Sequence, residues 1–219
     1  MSPDHKNEFG LFTPFGPAIG YYKIPETIIK RLNSLMDDKL LDFSEKLVGK
    51  VSFELEFNEK CKKCAAEGLS PFIFDYKMRN SKRLKPKQTT TLRISPFNLR
   101  MMAGWFVRQY ATEYNPLHVH ADAHISCVGY LKIPAGMEEE WKKDSQDHHP
   151  AHGQIQFTHG TTVPEAPGSL MVKPEVGDFF IFPGTLYHCV YPFYGSGERR
   201  SFSMNFQVIS DEKGGSTFF

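Results

Sequence analysis

From residue 89 to residue 208 the chain reads as eight short runs, at 89–95, 104–114, 125–133, 153–158, 169–173, 178–182, 187–191 and 199–208, with Pro and Gly between them and no helical period. Several alternate apolar and polar residues, the two-residue period of a strand with one buried face. Many short strands closely spaced fit a sandwich or barrel better than a parallel sheet, which would need a helix between each pair. The 19 phenylalanines recur inside these runs rather than at helical spacing, as a sheet-rich core requires.

Ahead of the strands lies a helical and mixed support. Pro25 suits a first helical turn, and Ile28, Ile29, Leu32, Leu35, Met36, Leu40 and Phe43 follow a period near 3.6, so one amphipathic helix is expected over about 25–47. Residues 51–57 alternate Val51, Phe53, Leu55 and Phe57 against Ser52, Glu54 and Glu56, a half-buried strand. A short helix from Asn58 should stop at Gly68. Lys77 to Lys87, with six basic residues and Pro86, reads as a solvated loop, and Glu138 to Pro150 as an inserted surface or lid loop. The expectation is a single domain over 1–219: residues 1–88 as support, 89–210 as a mostly β jelly-roll core, and an insertion at about 135–152.

The 219 residues should bury roughly 70% of their unfolded surface, enough for one core without disulfides. A net charge of +1 provides no field to draw the chain to phosphate backbones or anionic lipid, so neither nucleic acid nor membrane is expected as a partner. There is no apolar run of about 18 residues and no basic-then-apolar start. Four cysteines, Cys61, Cys64, Cys127 and Cys189, are too few and too irregular for a disulfide framework. A soluble, cytoplasmic protein is the expectation.

Chemistry concentrates at His118-Val119-His120-Ala121-Asp122-Ala123-His124. On an extended strand His118, His120, Asp122 and His124 share a face, and grouped imidazoles with an acid are costly to bury without a metal. A distant candidate, His188, follows the strand and Pro-Gly turn of Gly177 to Gly184, a placement at a barrel rim. Two imidazoles and a carboxylate leave three positions open on a six-coordinate metal, the arrangement expected of non-haem Fe(II) oxygenases. Alternation from Arg199 to Phe206 puts Arg199, Ser201, Ser203 and Asn205 on one face, a guanidinium and a hydroxyl suited to a carboxylate. Cys61 and Cys64 lack the second half of a zinc site and read as structural thiols, like His5, His148, His149, His152 and His159 among the histidines.

These residues resemble the Fe(II)- and 2-oxoglutarate-dependent oxygenases, and more closely a small phage and bacterial branch with Asn-Pro-x-His-x-His before a Ser-x-x-x-Tyr-Leu-x-x-Pro strand. Here the motifs read Asn115-Pro116-Leu117-His118-Val119-His120 and Ser126-Cys127-Val128-Gly129-Tyr130-Leu131-Lys132-Ile133-Pro134, followed by the Gly-to-Phe-Pro strand, His188 and Arg199-x-Ser201. The resemblance spans about residues 104–208 and only loosely the first 90. It implies a double-stranded β-helix, of the jelly-roll, cupin-like kind, and iron held by His120, Asp122 and His188. It also implies that Arg199 and Ser201, with Tyr130 beside them and Asn205 closing the strand, bind 2-oxoglutarate. Fe(II), 2-oxoglutarate and O2 would be consumed or held in a hydroxylation releasing succinate and CO2, with ascorbate as a supporting reductant. The segment from His120 to Ser126 is one residue longer than in the branch, which leaves open a triad of His118, His120 and His188; otherwise His118 orients a ligand or the substrate. A cupin-type metal protein, catalytic or a binding module, remains the competing reading, and Arg199-x-Ser201 is the feature it does not need.

Overall fold

The structure is a computed structural model that describes residues 16–37, 39–84, 97–142, 151–210 and 217–218. Eleven strands and three α-helices occur in the order β1 (Gly20–Lys23), α1 (Glu26–Leu35), β2 (Phe53–Glu56), α2 (Glu59–Leu84), β3 (Phe97–Gln109), β4 (Asn115–His118), β5 (Ile125–Lys132), α3 (Ala135–Lys142), β6 (Ile155–Thr158), β7 (Ser169–Val172), β8 (Asp178–Pro183), β9 (Tyr187–Val190), β10 (Arg199–Ser210) and β11 (Thr217–Phe218).

They form two sheets, antiparallel except where β11 joins β3. The larger has the order β1-β8-β5-β10-β3-β11, with β2 also paired to β3; the smaller runs β4-β9-β6-β7. The central strands β5 and β8 of the large sheet are buried on both faces, and alternation sorts their side chains and those of β10. Phe179 and Ile181 of β8, Cys127 and Leu131 of β5, and Phe202 and Met204 of β10 pack with Leu32 of α1 and Leu69 and Ile73 of α2. Phe180, Phe182, Val128 and Tyr130 point the other way, toward Ile155, Phe157 and Val190 of the small sheet. Burial of this kind is the main stabilising term, roughly 1.5–3 kcal/mol for each large apolar side chain removed from water.

The expected runs at 125–133, 153–158, 169–173, 178–182, 187–191 and 199–208 coincide with β5 to β10 within one to two residues at each end. The run at 104–114 starts earlier and stops at Gln109, and that at 89–95 lies outside the described residues.

The helices depart further. The helix expected over 25–47 ends at Leu35, because two aspartates turn the backbone on itself: the Asp37 carboxylate accepts from Lys39 N–H at 3.0 Å and that of Asp42 from Ser44 N–H at 2.9 Å. A single 3-10 turn, Ser44–Lys46, follows.

Conversely, Gly68 does not end the second helix. A Cβ there would lie 2.6 Å from Ile28 Cδ1, so the glycine admits α1 against α2, and the helix continues through Pro71 into the basic stretch read as loop, as far as Leu84. Part of the expected 138–150 loop is the helix α3, and residues 143–150 are outside the described chain. Among the described residues, no helix is long and apolar enough to cross a membrane.

Candidate active site

Where the small sheet faces the large one, β4 and β9 pair so that His118 stands opposite His188. The chain leaves β4 after His118, and His120 N–H donates to Gly184 O at 2.8 Å, which turns the His120 ring toward the other two. The ring centroids of His118 and His188 are 4.2 Å apart, and His120 is 5.1 Å from each. One ring nitrogen from each lies within 4.8 Å of the others, a group able to hold one metal ion.

Nδ1 of His118 bonds to Pro116 O at 2.7 Å and Nδ1 of His188 to Leu186 O at 2.9 Å. Donation to a carbonyl fixes the tautomer and leaves Nε2 as the lone-pair donor. Desolvation lowers the pKa of all three, His120 to about 4 and His188 to about 3, with neighbouring imidazoles acting in the same direction on these two. The rings are therefore neutral at pH 7, the state that binds metal.

Asp122 is not in this group. The single face expected from His118 to His124 requires an unbroken strand, and Ala121-Asp122 is a turn closed by Ala123 N–H to His120 O at 3.0 Å. Asp122 is exposed and lines an adjoining cavity of about 360 Å³. His124 points away, its Nδ1 accepting Val208 N–H at 2.9 Å.

The rest of the expected set converges from the large sheet. Arg199 is 2% exposed. Its Nη1 donates to Gly153 O at 3.1 Å and its Nη2 to Gln109 Oε1, while Nε has no partner. Its guanidinium lies 5.7 Å from the Tyr130 ring centre. Tyr130 Oη is buried and also without a partner, and burial pushes the phenol up to about 12. Two orphaned donors, one on a guanidinium whose pKa burial lowers, are costly to retain unless an acceptor occupies the space between them.

With Ser201 they line one cavity of about 100 Å³ that also receives His118, His120 and His188. Asn205 does not belong to this wall: its Oδ1 accepts from Ser126 Oγ at 2.8 Å, and it lines the adjoining cavity with Asp122.

Four residues at the site were not expected from sequence: Trp105, Asn115 and Glu54 line the cavity, and Gln109 holds Arg199 from outside it. Gln109 is paired in register with Arg199, and Trp105 packs edge-on to His120 at 5.8 Å. Asn115 and Glu54 complete the wall. Glu54, from the polar side of the 51–57 alternation, lines this cavity and is 1% exposed, whereas Ser52 and Phe53 are exposed. The register Glu54–Val107–Ser201–Tyr130 runs straight across β2, β3, β10 and β5.

A family model described as "Putative 2OG-Fe(II) oxygenase" matches residues 103–205, the stretch holding the three histidines, Tyr130 and Arg199. Solved structures agree in fold. An oxidoreductase of the 2OG-Fe(II) oxygenase family from Burkholderia pseudomallei superposes with a TM-score of 0.50 at 11% identity, over 90% of this chain and 86% of its own. A prolyl hydroxylase from Trichoplax adhaerens, solved with a hypoxia inducible factor peptide fragment, gives 0.51 at 13%, over 89% and 84%. The alpha ketoglutarate dependent epimerase SnoN of nogalamycin biosynthesis gives 0.51 at 14%, over 86% and 77%.

No curated protein matches the sequence. The chain has the double-stranded β-helix fold of these oxygenases, and its central stretch matches the 2OG-Fe(II) oxygenase family model. That family uses Fe(II), 2-oxoglutarate and O2, and the donor set and orphaned cavity atoms here fit those groups.

Proposed function

We propose that this chain is a hydroxylase in which His118, His120 and His188 hold Fe(II), and Arg199, Tyr130 and Ser201 receive the distal carboxylate of 2-oxoglutarate. The observation that carries the reading is that Arg199 and Tyr130, whose buried Nε and Oη lack partners, line the same cavity as three neutral imidazoles. Bound together, iron and 2-oxoglutarate couple O2 reduction to decarboxylation, one oxygen atom going to succinate and one to a substrate C–H bond, with CO2 released.

The chain's own residues bind, orient and shield. The Pro116 and Leu186 carbonyls hold two imidazoles in the metal-binding tautomer, and Trp105 fixes the third ring. Gly153 and Gln109 immobilise the guanidinium before any carboxylate arrives, so little rotamer entropy is lost on binding. Phe182 and Phe157 against His188 keep water from that side. Asp122 stays outside the ligand set.

An all-histidine set would also serve a cupin-type centre; the buried guanidinium with its free Nε favours the oxygenase. The experiment is succinate release from 2-oxoglutarate by the protein with Fe(II) and ascorbate, alongside calorimetric 2-oxoglutarate binding. Binding and release in the wild type, both lost in Arg199→Gln, is the expected result. Absence of 2-oxoglutarate binding in the metal-loaded wild type would overturn it.

A further inference from the structure

The end of the cavity away from Arg199 is built with the opposite polarity. Glu54 is 1% exposed, and its Oε2 has no hydrogen-bond partner. Asn115 Oδ1, also buried, has none either. The two side chains approach one point: a Cβ placed on Gly49 would strike Asn115 Oδ1 and lie 3.2 Å from Oε1, the other oxygen of the Glu54 carboxyl. Gly49, Glu54 and Asn115 all line the cavity that holds the three histidines.

No basic side chain among the described residues pairs with Glu54. Lys46, the lysine of the cavity wall, has its Nζ 4.7 Å from the Phe43 ring centre. Burial, with Asp42 and Glu113 adding repulsion, drives the Glu54 carboxyl up to about 7. Two acceptors without donors, one of them a carboxylate, destabilise a fold and persist where a ligand supplies the missing hydrogens.

We propose that Glu54 and Asn115 form a subsite for a cationic nitrogen, an alkylammonium group carried by the substrate that the metal centre oxidises. An ammonium has three donors and no acceptor, which matches two converging acceptors in a small space. Asn115 lies three residues before His118 on β4, about 10 Å of strand, so the cation is held a short alkyl arm away from the histidines. Glu54 and Ser201 stand in one cross-strand row with only Val107 between them, roughly 10 Å apart at the usual strand spacing. The large sheet thus presents a guanidinium end for a diacid and a carboxylate end for a cation, which keeps the two ligands from exchanging places. The word substrate rests on the oxygenase reading; the ammonium subsite itself does not.

The test is calorimetric titration of the full chain loaded with Ni(II), with and without 2-oxoglutarate, using n-butylammonium chloride and the neutral 1-butanol as probes. The expected result is a preference of at least ~10-fold for the cation, lost in Glu54→Gln and reduced in Asn115→Leu, with 2-oxoglutarate affinity changed less than about twofold in either. Melting curves check that both variants are folded. A Gly-Gly-Lys-Gly-Gly peptide in place of butylammonium separates a peptide-borne ammonium from a free one. Equal binding of the two probes, or a cation preference that survives in folded Glu54→Gln, overturns the subsite. Failure of 2-oxoglutarate to bind while the cation preference holds would instead overturn the oxygenase reading alone.

Discussion

Arg199, Tyr130 and Asp122 separate the roles most sharply at the level of single side chains. Arg199→Gln leaves a bound carboxylate facing a buried wall without its cation, a loss of about 2–5 kcal/mol, so the 2-oxoglutarate Kd should rise about 30-fold or more. Tyr130→Phe removes one hydrogen bond to a charged group and should weaken binding about 10- to 100-fold; calorimetry reads both. Asp122 is exposed in the turn after His120, so Asp122→Ala should leave Fe(II) affinity within about twofold, whereas His118→Ala should abolish it, as followed by metal content after gel filtration. Glu54 carries a pH signature. Its folded pKa, about 7, is raised above the ordinary 4.5, so the contribution to stability is fully present below pH 4.5 and is lost as pH rises through 7. The loss amounts to about 3 kcal/mol, and Glu54→Gln should therefore melt several degrees above the wild type at pH 8 but match it near pH 4.5.

Gly129 makes the corresponding point for an element. On β5, paired with Phe202 of β10, it stands where a Cβ would collide with the Phe202 ring and come within 3.0 Å of Ile24. Gly129→Ala should cost about 1–3 kcal/mol in urea unfolding and displace β5, so the 2-oxoglutarate Kd should rise with it although no ligand-contacting atom is removed. Strands were legible in sequence because alternation is local: the split of β10 into Arg199, Ser201 and Ser203 on one side and Phe202, Met204 and Phe206 on the other follows from the period of two alone. Helix ends were not. Gly68 looks like a stop and is a packing glycine, and the apolar period past Leu35 continues in sequence while Asp37 and Asp42 redirect the backbone. Whether a local turn or a helical turn wins depends on what the apolar face finds to pack against.

Across the whole molecule, the three-histidine cluster joins β4 and β9 of the small sheet to the His120 loop, held by the Gly184 carbonyl after β8 of the large one. Metal that binds only the folded state stabilises it by about 2.7 kcal/mol at 100 times its Kd, so a chelator should lower Tm by roughly 5–10 °C in calorimetry. Reductant should change nothing, since all four cysteines are free. The sequence alone determined that the strands would dominate, which residue types carry the chemistry, and that Arg199 and Ser201 share a face, because each of these is a matter of neighbours along the chain. Only the tertiary structure decided which three of the four candidates at 118, 120, 122 and 188 meet, and that Glu54 faces a cavity rather than water. Those outcomes depend on a loop anchored at His120 by a carbonyl more than sixty residues away and on what packs over Glu54 of β2, relations that no local period encodes.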